Sequence, residues 1–375
     1  MSNKILMVSV DSAISPSTKE PYEGIIEAFT QLTNSGDFIV FMSRTYEKLQ
    51  LAKSFFKDAT KYKFPYRKDA KEFVEKNPGG YFIVLGINEQ DLYLAANNRQ
   101  LLINPIWTEV KTIEVEKYGI KISRPDLLVK FIEIIKNQSS WYYNVDLDDK
   151  THVLSLYSAN TYRGSHTPEE KVLIAGFQSL LKNGDKGYYE VLLYHFLAGI
   201  ANNDDFREVQ DWAIFPSSGT ELNDDMIQFK ERARIVMNGR KPAPLFIRHT
   251  PTTKSHYMGK AERIPCNRHF DTIKLNDIYK GKLKGRTICV LDDFLTNGTS
   301  FETARNLLLT QNVKKIIFVS VGRFGSNYVK QDYKITGDVF NHGYNYKLIK
   351  SAHVEGSIDN GAIDDINSLY DIISG

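Results

Sequence analysis

The stretch that decides the fold of this 375-residue chain reads Ile288-Cys289-Val290-Leu291-Asp292-Asp293-Phe294-Leu295-Thr296-Asn297-Gly298-Thr299-Ser300. An apolar run typical of a buried strand leads through two carboxylates and a polar turn into a segment with helical spacing, 300–310. A strand followed by a turn and a helix is the repeating unit of parallel α/β sheets. Ligands of such proteins bind where the strands end, at the carboxyl edge of the sheet.

The polar turn has the chemistry of a phosphate site. It consists of Thr296, Asn297, Gly298, Thr299 and Ser300. Its backbone N–H groups precede a helix N-terminus, whose dipole favours an anion, and its glycine allows close backbone approach. Asp292 and Asp293, directly upstream, are well placed for sugar hydroxyls. A capping Thr or Ser alone would not explain two adjacent carboxylates after a buried strand. The segment therefore predicts a holder for ribose 5-phosphate.

The same alternation of strand and helix runs along the whole chain. The sequence predicts strands at 5–10, 38–42, 81–85, 101–103, 153–157, 212–215, 244–247, 287–291 and 315–321. It predicts helices at 23–33, 47–56, 68–76, 91–97, 124–136, 168–181, 188–201 and 300–310. We therefore expect an α/β fold with two parallel-sheet, Rossmann-like domains, 1–140 and 141–375. The polar stretch 137–150 is the predicted linker at the start of the second domain.

Composition narrows the class of protein. The hydrophobic share of 42% and the charged share of 25% are ordinary for a globular chain, and the net charge of +3 favours no partner. Cys266 and Cys289 form no paired motif, so we expect two reduced thiols and a cytoplasmic location. The first apolar run is too short for a signal peptide or a membrane span. We find no P-loop, no metal spacing among the histidines and no basic run that indicates nucleic-acid binding.

The segment 288–300 resembles the phosphoribosyl pyrophosphate (PRPP) motif of type I phosphoribosyltransferases: four apolar residues, two acids, then Thr-x-Gly-x-Ser/Thr. Further segments follow in the family's order. One segment resembles the loop that binds the diphosphate and consists of Pro216, Ser217, Ser218 and Gly219. Residues 248–256 resemble the flexible loop that closes over the substrate, and 263–270 continue as in the ComF-like and amidophosphoribosyltransferase-like branch. The resemblance covers about 153–321.

This resemblance implies Mg²⁺-dependent transfer of phosphoribose from PRPP to a nucleobase or related amine, with release of pyrophosphate. Asp292 and Asp293 would contact the ribose and Mg²⁺. Arg248 and Lys254, with His256 as a weaker candidate, would neutralise the diphosphate.

The acceptor pocket has two aromatic candidates, Phe324 and Tyr328, for stacking on a planar base; each is also a candidate for ordinary packing. Two other functions stay open. One is a regulator that binds PRPP or a nucleotide 5′-monophosphate without turnover, and the other is an effector in a bacterial or phage stress or defence system. Fold alone does not separate a regulator from an enzyme.

The N-terminal half resembles the haloacid dehalogenase (HAD-like) family. Residues 9–14 resemble its first motif, Ser43 the phosphate-binding residue of its second, and 86–91 its metal motif. Yet the nucleophilic Asp is replaced by Ser9 and a metal-binding Asp by Ile87. If the motif is aligned so that Asp11 is the nucleophile, Ala13 falls at the position of the acid/base Asp, and alanine cannot transfer a proton. We expect a domain without phosphatase activity that serves as a scaffold, oligomerisation or partner surface, or ligand sensor. The alternative is a metal site rebuilt from Asp11, Glu89 and Asp91.

Overall fold

The computed structural model of the chain describes residues 4–77, 81–137, 141–160, 171–172, 174–176, 189–219, 223–240, 243–253, 259, 262–325 and 327–374. Within these ranges the protein is a mixed α/β fold with two six-stranded sheets and two two-stranded ones. The two large sheets account for most of the elements that the strand and helix periodicities predict.

The first large sheet is parallel throughout. In sheet order its strands are β3 (Tyr62–Lys63), β2 (Phe38–Met42), β1 (Lys4–Ser9), β4 (Tyr81–Leu85), β5 (Leu101–Pro105) and β6 (Ile120–Ile122). This is the order of a doubly wound sheet, in which the direction of winding reverses between β1 and β4. The connecting helices are α1 (Val10–Ala13), α2 (Ile25–Asn34), α3 (Tyr46–Phe55), α4 (Arg67–Glu75), α5 (Glu89–Asn97), α6 (Ile113–Tyr118) and α7 (Pro125–Asn137).

The second large sheet is mixed, so the prediction of two purely parallel sheets is wrong here. Its order is β16 (Ser357–Ile358), β7 (Tyr143–Asp148), β8 (Thr151–Ser158), β13 (Lys315–Arg323), β12 (Thr287–Leu295) and β9 (Val209–Ile214). The last four are parallel. At one edge β7 pairs antiparallel with β8, and β16 pairs antiparallel with β7. The predicted linker, 137–150, therefore contains strand β7. Its alternate residues Tyr143, Val145 and Leu147 are buried, and they anchor the strand.

The remaining elements of the second half surround this sheet. Its helices are α8 (Tyr189–Ala201), α9 (Asp204–Arg207), α10 (Asp224–Val236), α11 (Thr299–Leu309) and α12 (Gly361–Ser374), with 3₁₀ turns at Cys266–His269 and Asp277–Tyr279. A short antiparallel pair joins β10 (Phe246–Arg248) to β11 (Ile273–Leu275). A long ribbon pairs β14 (Asn327–Thr336) with β15 (Asn345–Glu355).

Helices shared by both large sheets join the two halves. Helix α12 contacts β6 and β8, and α8 contacts β5 and β8. One hydrophobic cluster accordingly includes residues of both sheets, such as Val8 and Val319. Both cysteines are free thiols, and both are buried. No helix of the described ranges combines the length and apolarity needed to cross a membrane.

Candidate functional site

The candidate site lies where the parallel strands of the second sheet end. Because β8, β9, β12 and β13 are parallel, their carboxyl ends meet at one edge, where α/β proteins bind ligands. A pocket of about 610 Å³ opens at this edge, lined mainly by the segments that follow β9 and β12. This volume falls within the range of small-molecule sites.

Most of the residues predicted from the sequence line this pocket. They are Pro216, Ser217, Ser218, Arg248, Asp292, Asp293, Thr296, Asn297, Gly298, Thr299 and Ser300. Gly219 is not among the lining residues. Lys254 and His256 lie outside the described residues. The structure thus brings together three stretches that are separated by up to about eighty positions in the chain.

The acidic pair lies near the carboxyl end of strand β12. Asp292 and Asp293 are half-buried, and the backbone N–H of Asp293 donates to Asp292 Oδ1 over 3.0 Å. Burial, reinforced by the adjacent Asp293 carboxylate, raises the pKa of Asp292 well above its ordinary value, while a hydrogen bond from Ser300 opposes the shift. The pair therefore favours any ligand that brings a positive charge or a hydrogen-bond donor.

The carboxylates at this edge of the sheet suit a metal ion that is also bound by the phosphate oxygens of a ligand. No group of three or more His, Cys, Asp or Glu side chains that could hold a metal occurs in the described ranges. Mg²⁺ is commonly bound through one or two carboxylates together with the phosphate oxygens of a substrate. Asp292 and Asp293 would supply that protein share, and the ligand would supply the remaining oxygens.

The loop after β12 packs against Tyr328 on the side away from the pocket. Gly298 has φ 86°, a left-handed conformation, and a Cβ there would lie 2.5 Å from the ring of Tyr328. The carbonyl of Asn297 accepts from the N–H of Val329, so the loop is also tied to the ribbon. Thr299 Oγ1 donates to the carbonyl of Arg263 over 2.6 Å. The loop is thereby held with the N-terminus of α11 at the pocket.

Tyr328 supports this loop and is not available for a base. It is fully buried, and its hydroxyl donates to Glu302 Oε1 over 2.9 Å. Of the two roles that the sequence left open for Tyr328, ordinary packing is therefore the one that the structure shows. Phe324, the other candidate, lines the pocket and packs against Phe294 at a ring separation of 5.1 Å.

Arg248 braces the loop after β9. Its Nε and Nη2 donate to the carbonyls of Ser217 and Pro216, and its Nη1 donates to Thr272 Oγ1. Burial and the charge of Arg268 lower the pKa of Arg248 to about 10. The side chain lines the pocket, but these donor groups are engaged within the protein.

Two arginines that we did not assign from the sequence also line the pocket. Arg263 and Arg268 belong to the segment around the 3₁₀ turn Cys266–His269. Burial and the charge of Arg263 lower the pKa of Arg268, and Arg268 in turn acts on Arg248. Arg268 thus lies between two other guanidinium groups that repel it beside one pocket, while Asp292 attracts Arg248. Such an arrangement is relieved by an anion with several charges.

The 3₁₀ turn is fixed in place by long-range contacts. The carbonyl of Cys266 accepts from Thr303 of α11, and its N–H donates to Gln331 of β14 over 3.0 Å. His269 is buried against Phe215, and burial together with Arg268 and Arg248 holds its pKa well below the ordinary value. A neutral His269 therefore adds no further positive charge to the arginines.

The corresponding edge of the first sheet is filled by protein side chains. Arg67 pairs with the fully buried Asp91 over 2.6 Å, and its Nη2 donates to Ser9 Oγ over 3.2 Å. Asp11 pairs instead with Lys48 over 2.6 Å, and Glu89 accepts a hydrogen bond from Tyr93. Asp11, Glu89 and Asp91 therefore face separate partners and do not form the alternative metal site.

The comparisons with known proteins add no relative. Neither the models of protein families nor the curated sequences contain a match to this chain.

Proposed function

We propose that this protein is an Mg²⁺-dependent phosphoribosyltransferase, which transfers phosphoribose from PRPP to a nitrogen of a nucleobase or related amine. The observation that carries this proposal is the division of charge within one pocket. The guanidinium groups of Arg248, Arg263 and Arg268 line this pocket together with the loop after β9 and the loop at the N-terminus of α11. The two carboxylates Asp292 and Asp293 belong to the strand end that leads into that second loop.

These parts correspond to the three regions of PRPP. The N-terminus of α11 suits the 5′-phosphate, because backbone N–H groups and the helix dipole favour an anion. The carboxylates suit the ribose hydroxyls. Arg263 and Arg268 suit the diphosphate. Arg248 fixes the loop after β9 in the same pocket by donating to the carbonyls of Pro216 and Ser217.

The proposed reaction is a displacement of pyrophosphate at C1 of the ribose. The bond from C1 of the ribose to the diphosphate oxygen breaks, its electron pair leaves with pyrophosphate, and the acceptor nitrogen forms the new bond to C1. The acceptor's proton is then lost to solvent. Arginine side chains stabilise the departing charge, and the carboxylates and the phosphate loop hold the sugar in place. Mg²⁺, when bound through Asp292, Asp293 and the ligand, would neutralise part of the diphosphate charge.

The second part of the proposal concerns the first sheet. We propose a HAD-like scaffold without phosphatase activity, because Arg67 occupies the space between Ser9 and Asp91. Incubation of the full chain with p-nitrophenyl phosphate and Mg²⁺ should give no steady turnover. Turnover that Asp11→Asn abolishes would overturn this part alone.

Pyrophosphate release tests the enzymatic proposal. The purified chain is incubated with PRPP, Mg²⁺ and each of a panel of nucleobases and amines, and pyrophosphate is measured. At least one acceptor should give turnover that Asp292→Asn/Asp293→Asn removes. Binding of PRPP without release with any acceptor would instead identify the regulator, which binds and does not turn over.

A further inference from the structure

Arg323, the last residue of β13, lies beneath the loop that we assign to the 5′-phosphate. Its side chain is fully buried, with an exposed fraction of 0%. Its Nη1 donates to the carbonyls of Leu295, Thr296 and Phe324. It does not line the pocket itself, so any effect on a ligand must act through the loop.

The buried guanidinium of Arg323 packs against an aromatic ring. The guanidinium lies 4.4 Å from the ring centroid of Tyr143, which is itself fully buried. No carboxylate of the described part of the chain forms an ion pair with it. Burial lowers the pKa of Arg323 for this reason. A buried cation without a carboxylate partner is costly, and a nearby anion would reduce that cost.

The orientation of the loop follows from the same hydrogen bonds. In a trans peptide the C=O and N–H groups point in opposite directions. Since the carbonyls of Leu295 and Thr296 point at Arg323, the N–H groups of Thr296 and Asn297 point away from it. Both of these residues line the pocket. The guanidinium, together with the hydrogen bond from the Phe324 N–H to the Leu295 carbonyl, thus fixes these two backbone donors on the side of the loop away from Arg323.

We propose that Arg323 is a positioning residue for the 5′-phosphate subsite, which it serves by orienting the loop and by supplying a buried counter-charge. This inference rests on the proposed function. It predicts that Arg323 acts on ligands that carry the ribose phosphate and not on pyrophosphate, whose proposed ligands are Arg263 and Arg268.

Three substitutions separate the charge of Arg323 from its hydrogen bonds. Arg323→Lys keeps the charge, Arg323→Gln keeps a donor without charge, and Arg323→Met removes both. Calorimetric titration with ribose 5-phosphate should show the dissociation constant rising in that order, by about tenfold or more for the methionine variant. The dissociation constant for pyrophosphate should change by less than about twofold.

Arg286→Met serves as the matched control. Arg286 precedes β12 at the opposite end of that strand and pairs with Asp211 over 2.7 Å. Its loss should lower stability while both dissociation constants stay unchanged. A folded Arg323→Met variant that binds ribose 5-phosphate as the wild type does, or that loses both ligands equally, would overturn the inference. A wild type that binds neither ligand would refute the proposed function itself, and the inference with it.

The wild type provides a second test if the Arg323 variants do not fold. Salt screens the half-exposed arginines strongly and a buried guanidinium only weakly. Over roughly a tenfold range of NaCl concentration, the affinity for pyrophosphate should fall much more steeply per unit of ligand charge than the affinity for ribose 5-phosphate. Equal salt dependence per unit of ligand charge would contradict a buried counter-charge at the phosphate loop.

Discussion

Replacing Gly298 by alanine should lower the free energy of unfolding by about 3 kcal/mol, because two separate costs fall on one position. The left-handed conformation, φ 86°, costs a side chain about 1 kcal/mol. The new Cβ would also lie 2.5 Å from the ring of Tyr328. Moving this buried ring breaks its hydrogen bond to the buried Glu302, which adds about 2 kcal/mol.

The chain offers a matched control for this substitution. Gly281 has φ 73°, and a Cβ there would meet nothing within 4 Å. Gly281→Ala should therefore cost only the conformational part, about 1 kcal/mol. Urea denaturation of both variants gives the difference directly. In a Tyr328→Leu background the extra cost of Gly298→Ala should largely disappear. Equal losses for Gly298→Ala and Gly281→Ala would refute the idea that Tyr328 confines the loop.

Three further predictions test other parts of the structure. Arg305→Met should cost about 3–5 kcal/mol in urea denaturation, because it leaves the fully buried Glu302 without the cation that pairs with it over 2.8 Å. Acidification should destabilise the protein through His195 and His269: burial lowers the pKa of His195 to about 3 and that of His269 well below 6.5. At these two positions the unfolded chain then binds more protons than the folded one, so each should remove about 1.4 kcal/mol per pH unit below roughly pH 6.5. The raised pKa of Asp292 acts in the opposite direction, so the wild type is compared with His195→Leu, and equal shifts of the urea midpoint between pH 7 and 5 in the two proteins would contradict this. Arg268→Gln should raise the dissociation constant for pyrophosphate about tenfold and leave that for ribose 5-phosphate unchanged; a loss of both would indicate a general collapse of the pocket.

Local patterns were sufficient for most of the fold. Strands Phe38–Met42 and Tyr81–Leu85 have the predicted bounds, because continuous apolar runs between polar segments define buried parallel strands. The error at 137–150 has a clear cause. Polarity suggested a linker, yet Tyr143, Val145 and Leu147 alternate with polar residues as in a half-buried strand. A period of two is easily missed in a stretch of only six residues.

The candidate site was predictable only where it is contiguous in sequence. The segment 288–300 identified the acidic pair and the loop together, since one strand and one helix position both. Arg263, Arg268 and Arg323 reach the site through long-range contacts, and a lone arginine in a sequence carries no sign of its burial or neighbours. The sequence left Tyr328 open between stacking on a ligand and ordinary packing, and only the structure shows that it packs against Gly298.

Calorimetric titration with PRPP in the presence of Mg²⁺ tests the central claim most directly. The wild type should give a saturable heat with one binding site per chain. Asp292→Asn/Asp293→Asn should weaken binding by about tenfold or more, because both the ribose contacts and the carboxylate share of the cation site are lost. Equal heats for the wild type and this variant, or no heat for either, would contradict the assignment of the pocket to PRPP.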